Sequence, residues 1–251
     1  MTTSTQAPTA PRPAVLDHGT AMRLAATEYD RVFAALRRLA PADWHHPTDC
    51  TEWDVHAMAS HVLGMTEMAA SLRVMVRQQR AAARLGGGID ALTAVQVDER
   101  RGLTPDQIVE RLAAAVPHAV RSRRRVPALV RRRTLPERQV VGDRVETWTI
   151  GYLLDVILTR DPWMHRVDLA RAVGQPMQLS ADHDGVIVAD LVAEWAGGHG
   201  QSYDLQLTGP AGGHWSSGAD GPAIEMDAIE FCRALALRAP AAGLLAYPVA
   251  V

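Results

Sequence analysis

The segment from residue 147 to residue 172 constrains the fold more than any other part of the chain. Its apolar residues recur at steps of three and four, which predicts a long amphipathic helix with one face in a core. Asp161 and His165 interrupt that apolar face and lie one helical turn apart. A carboxylate and an imidazole are costly to bury unless a partner satisfies them. A divalent metal ion would satisfy both, so the pair predicts part of a metal site.

The third ligand is predicted from a second amphipathic helix, which Thr51 and Asp54 begin with an approximate capping box. His61 lies at the edge of its apolar stripe, between Met58 and Met65. A bundle that packs the two helices side by side would bring His61 to Asp161 and His165. Three protein ligands leave a coordination position for water or substrate, which is typical of a catalytic rather than a structural zinc.

The Asp161-Pro162 pair also has a second interpretation. An aspartate followed by proline often starts a helix, with the acid as the N-cap and the proline at the first helical position. Asp161 would then accept backbone N–H groups, and His165 would be an ordinary histidine at the edge of the core. The two interpretations agree if the helix bends at Pro162.

The charge balance argues against nucleic acid or a membrane surface as a partner. The chain carries 26 basic and 28 acidic residues, a net charge of -2, and none of the basic residues is lysine. No apolar run approaches the ~20 residues that cross a bilayer. Without lysine, the chain cannot form a Schiff base through a lysine amine.

Two cysteines, Cys50 and Cys232, are too few for a disulfide framework and predict a cytoplasmic location. Any thiol chemistry would then use a thiol that arrives with a cosubstrate. We expect a monomer that binds small molecules and has no membrane partner.

Residues 121–133 hold seven arginines and are the exception to the charge balance. Such a patch suits nucleic-acid phosphates or an acidic substrate. However, no aromatic residues are interleaved with it, and helix-turn-helix and zinc-finger spacings are absent from the sequence. We therefore expect a solvated basic face, with one or two arginines turned towards the pocket.

The periodicity predicts a mainly α fold in three parts. Residues 1–17, rich in Thr, Pro and Ala, are predicted to be a disordered tail. Residues 18–176 are predicted to form a helical bundle and residues 177–251 a smaller α+β domain. The predicted helices of the bundle are 18–40, 51–84, 91–101, 105–120 and 147–172. The predicted elements of the smaller domain are a helix at 184–196, strands from 203 and from 212, a helix at 227–238 and a strand at 244–251.

Two tracts carry a family resemblance: residues 53–64 and, about a hundred residues later, TRDPWMHRVDLARAVG. They resemble the mycothiol-dependent maleylpyruvate isomerase family, and the similarity covers nearly the whole chain from about residue 18. The resemblance implies a DinB-like four-helix bundle followed by a small α+β domain. It also implies that the zinc ligands of that family fall on His61, Asp161 and His165. Asp161 stands where the founding isomerase has the longer glutamate.

The resemblance further implies zinc or another divalent metal as the cofactor and mycothiol as a thiol cosubstrate, in an actinobacterial setting. The implied activity is that of an isomerase or S-transferase in which the metal activates the thiol as a thiolate. The substrate would be small, electrophilic and, if an arginine recognises it, anionic.

Arg238 falls where the family has a C-terminal-domain arginine that faces the active site, and a guanidinium suits carboxylate recognition. The alternative for Arg238 is a favourable position at a helix C-terminus. Asp168, one turn beyond His165, is expected either to orient an imidazole or to form a surface ion pair. Trp53 and Trp163 are expected to pack near the site.

Two further function classes stay open from the sequence. A metal-bound water with a pKa of ~7 would support hydrolysis on the same bundle. A non-catalytic binding or regulatory protein would retain the fold and use the arginine patch.

Overall fold

Four long helices form a bundle in which each helix packs against two others. In the computed structural model, which describes residues 11–251, α1 packs on α5 and α8, and α2 packs on the same two helices. The side chains of Asp17, Asp54 and Thr104 accept backbone N–H groups at the starts of α1, α2 and α5. The bundle helices are α1 (His18–Leu36), α2 (Val55–Ala70), α5 (Pro105–Arg124) and α8 (Leu158–Ala172).

The predicted helix from 51 to 84 is two helices in the structure, and the first begins at Val55 with Asp54, not Thr51, as its N-cap. Ser71 has extended backbone angles, φ -146° and ψ 118°, and its side chain caps the following helix, α3 (Leu72–Arg84). The short helix predicted at 91–101 is α4 (Gly88–Asp98). The change of direction at Ser71 lets α3 pack back on α2 and α4.

The segment between α5 and α8 also contains regular structure. A single helical turn, α6 (Ala128–Arg131), is followed by an antiparallel hairpin of β1 (Gln139–Val141) and β2 (Arg144–Glu146). Gly142 provides the positive φ of 62° that the tight hairpin turn requires.

The helix predicted over 147–172 is interrupted. It begins as α7 (Ile150–Tyr152), continues as a π-helical turn (Leu153–Ile157) and becomes α8 at Leu158, where ψ is 5°. Asp161 lies inside α8, which starts three residues earlier. The interpretation of Asp161 as a helix N-cap is therefore wrong, and the irregularity lies just before Pro162 rather than at it.

The C-terminal part is a small three-stranded sheet with two helices. The strand order is β4-β3-β5, with β4 antiparallel and β5 parallel to the central strand. Strand β5 was not predicted, and the strand predicted at 244–251 is wrong, because that segment contains a 3-10 turn (Gly243–Ala246) and no strand. The elements are α9 (Asp184–His199), β3 (Tyr203–Thr208), β4 (Gly213–Ser217), β5 (Ala223–Asp227) and α10 (Ala228–Leu235).

Helix α8 takes part in two hydrophobic cores. Leu169 packs with the apolar faces of α1, α2 and α5 inside the bundle. Trp163, Met164 and Val167 pack instead with α9, α10 and the sheet. The mainly α fold with a smaller α+β part is thus confirmed, and α8 is buried on both sides. The division at residues 176 and 177 remains a prediction.

The segment before α1 is partly held in place by contacts with the rest of the chain. Residues 1–10 of the predicted disordered tail lie outside the described residues. Arg12 is held in place, because it pairs with Trp148 through the backbone and with Glu146 and Glu194 through its guanidinium. Arg12 is therefore ordered, although it lies in the segment predicted to be disordered. Among the helices of residues 11–251, none has the length and apolarity to cross a membrane.

Candidate metal centre

The structure brings His61, Asp161 and His165 together between α2 and α8. Nε2 of His61 lies 3.4 Å from both carboxylate oxygens of Asp161, and Nε2 of His165 lies 3.6 Å from Oδ1 of the same group. One ligand atom from each residue can be chosen so that all lie within 4.8 Å of one another. Both histidines are buried, while Asp161 is half-buried. The three sequence-predicted ligands therefore share one place, with Asp161 towards the more open side.

These contacts suit an ion better than direct hydrogen bonds. Charge-assisted N–H···O bonds are typically ~2.7–2.9 Å long, which is shorter than the 3.4 Å and 3.6 Å observed. Two ligands bound ~2.1 Å from a tetrahedral zinc are about 3.4 Å apart. Among the described residues, Asp161 Oδ2 and His61 Nδ1 are buried without a hydrogen-bond partner. The donor set and its unpaired oxygen therefore fit a divalent metal.

The electrostatics of the cluster favour positive charge between its members. Burial by itself would raise the pKa of Asp161, but His61 and His165 hold that pKa well below its ordinary value. Burial would lower the pKa of His165, whereas Asp161 and Asp168 raise it well above the ordinary value. Asp161 is therefore ionised, and a metal ion that binds Nε2 of His165 would take the place of a proton there.

Asp168 orients His165 from the side away from Asp161. Its Oδ2 is 3.1 Å from Nδ1 of His165, and Nε of Arg238 donates to both of its oxygens at 2.9 Å and 3.1 Å. Burial opposes its ionisation, yet His165 and Arg238 keep the pKa of Asp168 below the ordinary value. An ionised carboxylate only accepts, so His165 donates through Nδ1 and directs Nε2 at the site.

Arg238 reaches the site from the segment after α10, which ends at Leu235 rather than at 238 as predicted. Leu237 has a positive φ of 60°, which ends the helix and turns the chain so that the next side chain reaches Asp168. Nη1 and Nη2 have only long contacts, 3.4 Å to the Ala236 carbonyl and 3.6 Å to the Cys50 sulfur. The catalytic role of Arg238 remains a prediction.

Trp53 covers the two imidazoles. Its ring centroid is 5.2 Å from that of His61 and 5.9 Å from that of His165. Trp53 therefore packs at the site, as expected from the sequence. Trp163 does not, because its indole N–H donates to Asp184 in a different cluster.

That second cluster lies between α1, α8 and α9 and also contains a histidine and carboxylates. His183 Nε2 is 2.8 Å from Glu28 Oε2, and Arg166 donates to Glu28 and to Asp184. Arg31 adds a second guanidinium on Asp184. The ligand atoms are close enough for a metal, but the arginines already neutralise the acids.

Sequence reasoning did not single out Cys50 or Arg123 as site residues. Cys50 Sγ lies 3.6 Å from Asp168 Oδ2, at the end of a loop with no periodic pattern to reveal it. Arg123 is buried and bonds to the carbonyls of Leu154 and Leu158. Its signal was its spacing, since it continues the buried stripe of α5 at Ile108, Leu112, Ala119 and Arg123.

The rest of the arginine-rich segment mostly follows the expectation of a solvated basic face. Arg131 is half-buried and pairs with Asp155. The remaining arginines of residues 121–133 are exposed. Arg123 and Arg131 are therefore the two that turn inwards.

The other histidines considered from the sequence have separate contacts. His46 bonds to the Ala172 carbonyl, His214 to Asp204, and His199 stacks near Trp195, while His45 is exposed. None of these joins a metal-capable cluster among residues 11–251.

Comparison with known proteins gives a family and a fold. A family model described as the mycothiol maleylpyruvate isomerase N-terminal domain matches residues 25–170, the range that contains His61, Asp161 and His165. Two crystal structures, of the mycothiol-dependent maleylpyruvate isomerase and of a mutant of it, each have a TM-score of 0.57 and are 17% and 16% identical. Each match covers 89% of this chain and 90% of the other. No curated protein matches the chain.

Proposed function

The chain belongs to the family of the mycothiol maleylpyruvate isomerase N-terminal domain, and from this premise we propose that it is a metal- and mycothiol-dependent isomerase or S-transferase. The observation that carries the proposal is the convergence of two buried imidazoles on one ionised carboxylate that keeps an unpaired oxygen. Burying this unpaired oxygen costs free energy, and a bound ion would offset that cost.

His61, Asp161 and His165 would hold the metal, which we propose to be zinc. A bound zinc ion would stabilise the thiolate form of the mycothiol thiol near neutral pH. The chain's own contribution is to fix the ligands, because Asp168 holds the orientation of His165 and Trp53 covers both imidazoles. The Trp53 indole covers one side of the site with apolar surface, and the lower local dielectric strengthens the electrostatic interactions there.

Arg238 would recognise an anionic substrate. Its Nε is bound to Asp168, which aims the guanidinium. Among the described residues, its two Nη groups contact only the Ala236 carbonyl at 3.4 Å and the Cys50 sulfur at 3.6 Å, so both can still donate to a carboxylate. The proposed substrate is therefore a small, electrophilic, carboxylate-bearing molecule. Release of the thiol after reaction would make the enzyme an isomerase, and retention would make it an S-transferase.

The experiment measures metal content, loss of free mycothiol thiol and conversion of maleylpyruvate, the substrate in the name of the similar structures. We expect conversion that requires both metal and mycothiol and is absent in His61→Ala and His165→Ala. His45→Ala is the matched control, because His45 is exposed and should leave activity unchanged.

Two results would contradict the proposal. Stoichiometric metal with activity that is independent of mycothiol would indicate a metalloenzyme that uses water. Absence of metal and of any turnover would indicate a binding protein that retains the fold.

A further inference from the structure

The entrance of α8 lacks two of its usual backbone hydrogen bonds. The N–H of Leu158 bonds to the carbonyl of Leu153 in the π-helical turn, so it does not serve the carbonyl of Leu154 in the α-helical pattern. Pro162 has no N–H to donate to the carbonyl of Leu158. Two carbonyls, one and two turns before Asp161, therefore need donors from elsewhere.

Arg123 of α5 supplies those donors. Its Nε and Nη2 donate to the Leu154 carbonyl at 2.9 Å and 2.6 Å, and its Nη1 donates to the Leu158 carbonyl at 3.0 Å. Nη2 also donates to the Thr159 hydroxyl at 2.7 Å, and Nη1 contacts the Tyr29 hydroxyl at 3.4 Å. One planar group thus bridges both carbonyls.

The hydrogen-bond partners of Arg123 are all neutral oxygens among the described residues. A fully buried arginine is normally paired with an acid, because burying an unpaired charge is costly. Methionine or leucine would fill the same space without that cost but could not bridge the carbonyls. The arrangement therefore points to a geometric role for the guanidinium.

We propose that Arg123 is a positioning residue that sets where Asp161 stands relative to His61 and His165, an inference that rests on the metal centre of the proposed function. Arg123 is itself fixed, because it continues the buried stripe of α5 and lies 5.8 Å from the ring centroid of Tyr29 in α1. It holds Leu158, one turn before Asp161, against those two helices. The irregular entrance of α8 is thereby kept in a single geometry.

The test is the affinity of the purified protein for zinc and cobalt, measured by competition with a chromophoric chelator. Arg123→Lys keeps the charge, but a single ammonium lacks the planar fork that reaches both carbonyls. We expect metal affinity to fall by roughly tenfold or more, as for loss of an outer partner of a metal ligand. Altered cobalt absorption bands should accompany the loss. Arg125→Lys is the matched control, since Arg125 is exposed, and should bind metal like the wild type.

Pro162→Ala provides the rescue, because it returns an N–H for the carbonyl of Leu158. The loss of metal affinity caused by Arg123→Lys should be severalfold smaller in the Pro162→Ala background. A residue that only stabilised the fold would change the unfolding temperature without changing the affinity of the folded protein.

The outcomes separate the two proposals. Equal metal affinity of wild type and a folded Arg123→Lys protein overturns the positioning role and leaves the proposed function standing. A wild-type protein whose metal binding does not depend on His61 and His165 overturns both. If Arg123→Lys fails to fold and Pro162→Ala does not recover it, the role is structural and the positioning proposal is overturned.

Discussion

Two clusters of histidine and carboxylate contact adjacent residues of α8. They differ in the groups that neutralise the charge of their carboxylates. In the first cluster, His61 and His165 face Asp161, and a carboxylate oxygen is left unpaired among the described residues. In the second, His183 and Glu28 lie with Asp184 under two guanidinium groups. Both bring their ligand atoms within 4.8 Å, so proximity alone does not separate them.

The difference lies in the adjacent residues His165 and Arg166. Successive residues of a helix point about 100° apart, so one contributes an imidazole to the first cluster and the other a guanidinium to the second. Arginine stays protonated and donates to carboxylates in a fixed, planar geometry. The carboxylates of the second cluster are therefore already paired. The first has no fixed cation and can accept one. Histidine and carboxylate thus indicate a metal only where no arginine already satisfies the acid.

Removal of the predicted metal ligands should have the largest effect on metal affinity. It is also the most direct test of the difference between the two clusters. We expect His61→Ala and His165→Ala to lower metal affinity by more than about 100-fold, since loss of an outer partner already costs roughly 10–100-fold. His183→Ala, the matched change in the second cluster, should leave metal affinity unchanged. Metal analysis and competition titrations measure both, and equal losses in the two clusters would show that the distinction is mistaken.

The second cluster should respond in stability rather than in metal binding. Burial opposes the ionisation of Asp184, but Arg166, the Ser180 N–H and the Trp163 indole hold the pKa of Asp184 below its ordinary value. Asp184→Asn leaves Arg31 without its acid and Arg166 with Glu28 alone, so we expect the free energy of unfolding at pH 7 to fall by roughly 3 kcal/mol. Urea denaturation of the metal-free protein measures this change.

The pH dependence of that loss follows from the lowered pKa. The ionised carboxylate contributes its stabilisation above the unfolded pKa of about 3.9 and loses it as the pH falls through the lower folded value. The stability difference between wild type and Asp184→Asn should therefore narrow below about pH 4. A difference that stays constant from pH 7 to pH 3.5 would contradict the assignment.

Asp168→Asn should have an intermediate effect, confined to the first cluster. Asparagine can still accept from His165 Nδ1, but it loses the charge that strengthens this bond and pairs with Arg238. We expect metal affinity to fall about tenfold. Asp184→Asn is the control, because Asp184 is a buried acid that contacts none of the proposed metal ligands. The metal affinity of this variant should equal that of the wild type.

The smallest effect is expected at Cys50. Its sulfur contacts Asp168 and Arg238, and with His165 and Asp168 it forms a further group whose ligand atoms lie within 4.8 Å of one another. Arg238 already pairs with Asp168 in that group, so we expect the ion to lie at Asp161 instead. Cys50→Ser should change metal affinity and mycothiol-dependent turnover by about twofold or less, which is under about 0.5 kcal/mol. Loss of turnover with intact metal binding would mean that the reacting thiol belongs to the chain and not to the cosubstrate.

The parts of the site that were predictable are those that follow from local periodicity. His61, Asp161 and His165 each lie on an apolar stripe of one helix, so packing of two helices brings them together. The cluster around Glu28 and His183 was not predictable, because it depends on how α9 docks on α1 and α8 across more than a hundred residues. Arg123 was counted as part of a charged run although its spacing matched the buried stripe of α5.

The fold shows the same division between local and long-range effects. Four helices were predictable from their patterns and caps, whereas the break at Ser71 and the π-helical turn depend on tertiary contacts. Strand β5 was missed although its residues alternate between exposed and half-buried, because it is only five residues long and its partner β3 is distant in the sequence. The predicted strand at 244–251 is apolar because it packs on the C-terminal core, where it has no strand partner.

The double burial of α8 has a consequence for how this protein can be divided. A fragment that stops at residue 176 would expose Trp163, Met164 and Val167 to water and would lack Arg238, the partner of Asp168. Such a fragment should self-associate through these exposed apolar side chains. It should also bind its cation weakly, even though all three metal ligands are present. Retention of the ion would then show whether residues 177–251 are packed on α8. Loss of the ion would indicate that this C-terminal part is missing or detached.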